Sequence, residues 1–150
     1  MEAMQVTLPS LSHAHDLNPS QSRAVIDFLR EQLIDLFAIY AFGSRVQGVA
    51  NASSDLDLAV LVPTYVPSLR LWDLSHLLAT RLGHDVDLLD LRAASTVMQH
   101  QVLSTGIKLW SQEPQAGLFE CFVFSEKFDL DIARAGYLSD IVERGSVYGR

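Results

Sequence analysis

Apolar positions along this chain follow two periods in alternation. Val25, Ile26, Leu29, Leu33 and Ile34 recur at helical spacing. Asn18 and Pro19 ahead of them supply a capping side chain and a φ preset for the first helical position, so a helix is predicted over about 19–35. From Leu36 to Phe42 the residues Phe37, Ile39, Tyr40 and Phe42 form a short run of strand type that stops at Gly43. Residues 44–54 turn small and polar, with Gly48, Asn51, Ser53 and Ser54, and read as one helical turn at most and then a loop. Asp55 to Val62 alternates at first, becomes wholly apolar and ends at Pro63, the pattern of a strand entering a buried sheet.

Pro67 opens a helix striped by Leu71, Leu74, Leu77, Leu78 and Leu82 and closed by Gly83. Asp85 to Leu91 is a third strand. Arg92 to Thr105 is predicted as a further helix, carrying Val97, Met98, Val102 and Leu103 and ended by Gly106, with a short edge strand at Ile107–Trp110. Beyond Pro114, Leu118, Phe122, Phe128, Ile132, Tyr137, Leu138 and Ile141 predict one long or broken C-terminal helix. Residues 1–17 show no period and are read as an irregular arm, its His13 and His15 solvated; residues 18–150 are read as one domain. The fold class is α/β (α+β), helices packed on a small mixed β-sheet.

Composition narrows the function. At 150 residues, 49% of them hydrophobic, the chain has enough apolar surface for one core. A net charge of −7 opposes binding to a phosphate backbone, so no long nucleic acid is expected as partner. A small nucleotide is compatible, because a bound divalent cation reverses the field that acidic residues create. Cys121, the single cysteine, excludes an intramolecular disulfide and is read as a small buried apolar residue. No basic segment followed by an apolar stretch occurs at the start, and no uncharged run is long enough for a bilayer; a soluble, cytoplasmic protein is expected. His76, His84 and His100 are isolated and assigned structural roles.

Candidate chemistry gathers at two places. Alternation along a strand puts Asp55 and Asp57 on one face, while Leu56 and Leu58 point into the core. Aspartate is depleted in strands, and two ionised carboxylates about 5 Å apart repel by roughly 3 kcal/mol at an effective dielectric near 20. Something must offset that. On the third strand Asp85 and Asp87 share a face, with Asp90 on the other, and Asp87 is the best-placed third carboxylate for a neighbouring strand. Three carboxylates on one rim suit Mg²⁺ or Mn²⁺, with waters and phosphates completing the shell. The second place is the turn. Gly43 admits close backbone approach, Ser44 offers a hydroxyl and an amide donor, and Arg45 is a candidate contact to outer phosphates.

The spacing as a whole, an apolar strand, Gly43-Ser44, ten residues, Asp55-Leu56-Asp57 and a second apolar run, resembles the nucleotidyltransferase superfamily of the DNA polymerase β type. The length and the segment Gly43-Ser44-Arg45-Val46-Gln47-Gly48 look like its minimal nucleotidyltransferases (MNT); Val46 and Gln47 depart from the small basic pattern common after Gly-Ser. The resemblance implies a polymerase β-like fold, ATP as donor and Mg²⁺, two ions, at Asp55, Asp57 and Asp87. It implies Gly43, Ser44 and Arg45 at the triphosphate. It also implies an antitoxin that moves AMP to a tyrosine of a cognate HEPN ribonuclease toxin and forms a hetero-oligomer with it. Two alternatives stay open: adenylylation of a small molecule, as in aminoglycoside-modifying relatives, and a non-catalytic antitoxin that covers the toxin with its C-terminal helix. The C-terminal aromatics Phe119, Phe122, Phe124, Phe128 and Tyr137 are expected mainly in the core, with part of the stretch left for a partner.

Overall fold

The computed structural model describes residues 17–47 and 55–143. The arm expected over 1–17, except Leu17, and the loop expected up to residue 54, except its first turn, lie outside the described residues. The elements are α1 (Pro19–Gln32), β1 (Ala38–Phe42), α2 (Ser44–Gln47), β2 (Leu56–Leu61), α3 (Ser68–Leu82), β3 (Val86–Asp90), a 3₁₀ turn (Leu91–Ala93), α4 (Thr96–Thr105), β4 (Ile107–Ser111) and α5 (Gln115–Glu143). The expected mixed sheet is present, in the order β3-β2-β1-β4, with β1 antiparallel to β2 and β4, and β2 parallel to β3.

Local chemistry sets the boundaries. The Asn18 carboxamide accepts the Gln21 N–H at 2.8 Å and starts α1 as expected. The helix stops at Gln32, three residues short of the predicted end, because Leu33 leaves helical geometry (φ −121°, ψ 86°) to bring Leu36 into the core. Ile34 is consequently 89% exposed rather than part of the stripe. The helix predicted over 92–105 is two pieces. The Asp90 carboxylate accepts the Arg92 N–H and the Ser95 hydroxyl accepts the Met98 N–H, so a second cap interrupts the run and restarts it as α4.

Strand alternation divides the core between two layers. Ile39, Ala41, Leu56, Leu58 and Val60 face α1 and α3, meeting Phe28, Leu29, Leu74 and Leu78; each such side chain contributes about 1.5–3 kcal/mol by burial. Ala38, Tyr40, Ala59 and Leu61 face α4 and the start of α5, meeting Val102, Ala116, Phe119 and Val123.

The C-terminal segment is one unbroken helix of 29 residues. At 1.5 Å per residue it runs about 43 Å, whereas four strands span only about 15–20 Å, so most of it overshoots the sheet. Phe119 and Val123 are buried. Phe122, Phe124, Phe128 and Tyr137 are between 44% and 65% exposed, which corrects the expectation that these rings are mainly core. Cys121 is exposed too, against the buried role expected for it. No helix among the described residues is long and apolar enough to cross a membrane.

Candidate active site

Two adjacent strands carry the predicted acids, and a third brings the glycine turn beside them. β1 delivers the chain to Gly43, whose φ of +80° lies where side chains with a Cβ are strained. A Cβ at Gly43 would also overlap Oδ2 of Asp57, so both conformation and space demand glycine at this turn. The register explains the closeness. Phe42, the last residue of β1, pairs with Asp57, and Asp57 pairs with Asp87 on the parallel neighbour β3. Asp55 is exposed just before β2, and the Leu56 N–H donates to the Asp85 carbonyl at 3.0 Å, tying the starts of β2 and β3. Leu56 and Leu58 are buried while Asp57 is half-buried, the alternation read from the sequence.

Electrostatics mark the same spot. Burial pushes the Asp57 carboxyl above the ordinary carboxylate range, and the negative charges of Asp87 and then Asp55 push it further. A divalent cation would relieve that repulsion, and a set of hard carboxylate oxygens is chemically suited to one. No three His, Cys, Asp or Glu side chains among the described residues already close round a common point.

Ser44 and Arg45 follow Gly43 in the short α2 and are partly buried. Val46, the departure from the basic pattern, packs into the core and anchors that turn. Asp90 does not join the rim. It is 4% exposed, and its carboxylate accepts N–H groups from Val66 (2.9 Å) and Arg92 (3.1 Å), fastening the far end of β3.

Two features escaped the sequence. A groove of about 310 Å³ opens between α3 and β3, with Trp72, His76 and Ala79 on one wall, Asp85, Val86 and Asp87 on the other, and Asp55 at its mouth. Trp72, His76 and Ala79 stand at i, i+4 and i+7 on a face of α3 separate from the leucine stripe; that spacing was the available signal. The second is a polar cluster toward β4. The Tyr40 hydroxyl donates to Glu120 (2.7 Å), and the Lys108 ammonium meets Glu120 at 2.7 Å and Glu113 at 3.3 Å. Burial opposes the Lys108 charge, but Glu120 and Glu113 outweigh it and hold its pKa above the ordinary lysine value. Burial and then the Glu120 hydrogen bond raise the Tyr40 phenol, which stays protonated.

The site is thus a glycine turn at the end of β1 pressed against Asp57, which pairs with Asp87 on the adjacent strand. Residues 24–115 match the model of the polymerase beta nucleotidyltransferase family, and the chain belongs to that family. It is similar to the protein adenylyltransferase MntA of Shewanella oneidensis, 37% identical over 118 residues, which span 79% of this chain and 85% of the relative. Among solved structures it resembles a toxin–antitoxin complex with AMP-PNP, at TM-score 0.71 and 36% identity over 81% of this chain and 98% of that one. It also resembles a tri-AMPylated Shewanella oneidensis HEPN toxin in complex with MNT antitoxin, at TM-score 0.67 and 33% identity over 82% and 97% of the two chains.

Proposed function

We propose that this chain transfers AMP from ATP to a tyrosine hydroxyl of a cognate HEPN ribonuclease toxin in the cytoplasm and thereby silences it. The observation that carries the reading is Asp57, pressed against Gly43 and paired with Asp87 on the adjacent strand, a concentration of negative charge that an apo fold has no use for. The relatives that bear AMP chemistry match most of the chain, so the acceptor class is taken from them.

In this mechanism Gly43 and Ser44 offer backbone and hydroxyl donors to the triphosphate, and Arg45 contacts its outer oxygens. Asp55, Asp57 and Asp87 would hold Mg²⁺, two ions, which supplies charge neutralisation along the phosphates and a more acidic acceptor hydroxyl. Asp87 would hold the ion at the attacking hydroxyl and assist the loss of its proton. The tyrosine oxygen forms a bond to the α-phosphorus, the α-phosphorus bond to the bridging oxygen breaks, and pyrophosphate leaves with the electron pair.

Labelled ATP, Mg²⁺ and the toxin test this directly. Wild type should label the toxin, and an Asp55→Asn, Asp57→Asn variant should not; equal labelling by both refutes the reading. The exposed apolar residues of α5 favour a second reading, an antitoxin that also acts by covering its partner. On that reading the double variant still protects cells from the toxin although it transfers nothing.

A further inference from the structure

Two glycines lie against Phe42, and they are required for different reasons. Gly43 follows it in the chain with a φ of +80°, a conformation that a side chain strains. Gly106 meets it from the β4 side. Ala41 pairs with Ile107 in the antiparallel β1–β4 register, so Gly106, one residue earlier, stands beside Phe42. Its φ of −87° and ψ of 178° are open to any residue, and conformation does not call for glycine there. Space does. A Cβ on Gly106 would lie 2.5 Å from the Val102 carbonyl oxygen, 2.7 Å from the Ala41 carbonyl oxygen and 3.3 Å from the Phe42 Cβ. The two nearest are backbone atoms, which no change of rotamer moves aside. We propose that Gly106 is a positioning residue for nucleotidyl transfer: by admitting the C-terminal end of α4 against the end of β1, it sets where the Gly43–Ser44 turn stands relative to Asp57. The assignment rests on the AMP-transfer reading above, in which that turn holds the triphosphate.

Three observations carry it. The first is that β1 is confined on both sides. Phe42 pairs with Asp57, and Gly43 already has no room for a Cβ beside the Asp57 carboxylate, so β1 cannot yield toward β2 when bulk is added on the β4 side. The second is that the end of α4 is pinned. The Gly106 N–H donates to the Val102 carbonyl at 2.9 Å, and the Val102 side chain is fully buried in the layer that holds Tyr40 and Ala59. The third is continuity of the chain. Gly43 and Ser44 follow Phe42 directly, and α2 begins at Ser44, so no residue intervenes to absorb a shift. A displacement at Phe42 is therefore passed to the donors of the turn, and a misplacement of about 1 Å is enough to cost about a hundredfold in rate.

Steady-state transfer from labelled ATP to the intact toxin by wild type, Gly106→Ala, Val102→Ala and Val25→Ala tests the proposal. Val102→Ala loosens the same helix end without adding bulk, and it stands in for Gly106→Ala if that protein does not fold. Val25→Ala is the same truncation at a fully buried site of α1, in the layer on the other face of the sheet. Per folded molecule, Gly106→Ala should lower kcat by roughly ten- to a hundredfold and raise the KM for Mg²⁺–ATP by about three- to tenfold, with the toxin KM within about twofold of wild type. Val102→Ala should move the same two constants in the same direction by a smaller factor, and Val25→Ala should move none of them by more than about twofold. Unchanged kcat and nucleotide KM in the folded Gly106→Ala protein, or in Val102→Ala where it stands in, overturn the assignment. An equal loss in Val25→Ala does so too, because the effect would then be one of stability. If wild type transfers no AMP, it is the functional reading that fails, and the coupling is judged by amide NMR without substrate. Gly106→Ala, or Val102→Ala in its place, should shift the Gly43 and Ser44 amide resonances, which Val25→Ala leaves in position; unmoved resonances in the α4 variant reject the coupling.

Discussion

Toward β4, Glu113 and Glu120 share the Lys108 ammonium and Glu120 accepts the Tyr40 hydroxyl; toward β3, on the same face of the sheet, Asp57 is pushed up by burial and by the carboxylates of Asp87 and Asp55. The first cluster brings its own cation and a hydrogen-bond donor, and it joins β1, β4 and α5 into one piece. The second concentrates charge of one sign beside a glycine turn. Both needed acidic residues at partly buried positions, but only one is arranged to lower the energy of the empty fold. The contrast sets a self-compensated structural cluster against the uncompensated one to which the proposed function assigns the metal.

The largest effect comes from removing charge at the β3 side. Asp57→Asn, close to isosteric, should lower AMP transfer by about a thousandfold or more while the circular dichroism spectrum stays that of the folded protein. Next is Gly43→Ala. The new methyl group meets the Asp57 carboxylate and the backbone is held at φ +80°, so transfer should fall about a hundredfold and the fold should lose about 1–2 kcal/mol, measured by urea unfolding. If Gly43→Ala cost stability alone, the turn would be a structural feature and the contrast would weaken.

On the β4 side the expectation reverses. Lys108→Met leaves Glu120, 23% exposed, and Glu113 without their shared cation, and should cost about 1–2 kcal/mol, the partial exposure keeping it below the cost for a fully buried pair. Transfer per folded molecule should stay within about twofold of wild type. Adding Glu120→Gln should recover part of the loss, because the residue then carries no charge to leave unpaired.

What the sequence disclosed was what neighbours along the chain decide. Alternation through Asp55-Leu56-Asp57-Leu58 and the apolar run after it were enough to place β2 and to put two acids on one face, and the partnership of Asp57 with Asp87 followed from pairing two such strands. The Asn18 and Gly83 caps were legible for the same reason. Ser95 carried a similar signal, but the apolar periodicity across it hid the break before α4. The Tyr40–Glu120 contact joins residues 80 apart, and no local pattern announces it. Nor does the groove, whose walls belong to a helix face and a strand edge. Exposure along α5 was misjudged because apolar content is visible in sequence whereas the length of helix that a four-stranded sheet can cover is not.

The smallest effect sharpens the comparison most, because it reads the empty fold alone. Asp57 binds its proton more tightly in the folded state than in the unfolded chain, so its contribution to stability is fully present below the ordinary carboxylate pKa of about 4 and is lost as pH rises through the higher folded value. At neutral pH and without divalent ions, the ionised Asp57 therefore weakens the fold. Asp57→Asn removes that penalty. Its Tm in EDTA at pH 7 should exceed wild type by roughly 1–3 °C, a modest figure because solvent screens a half-exposed group, and the gap should close as the pH is lowered below about 4. Mg²⁺ should then raise the Tm of wild type and leave the variant nearly unmoved, reversing their order. A variant less stable than wild type in EDTA at neutral pH would mean that Asp57 holds the apo fold together, as Lys108 does, and the distinction between the two clusters would be lost.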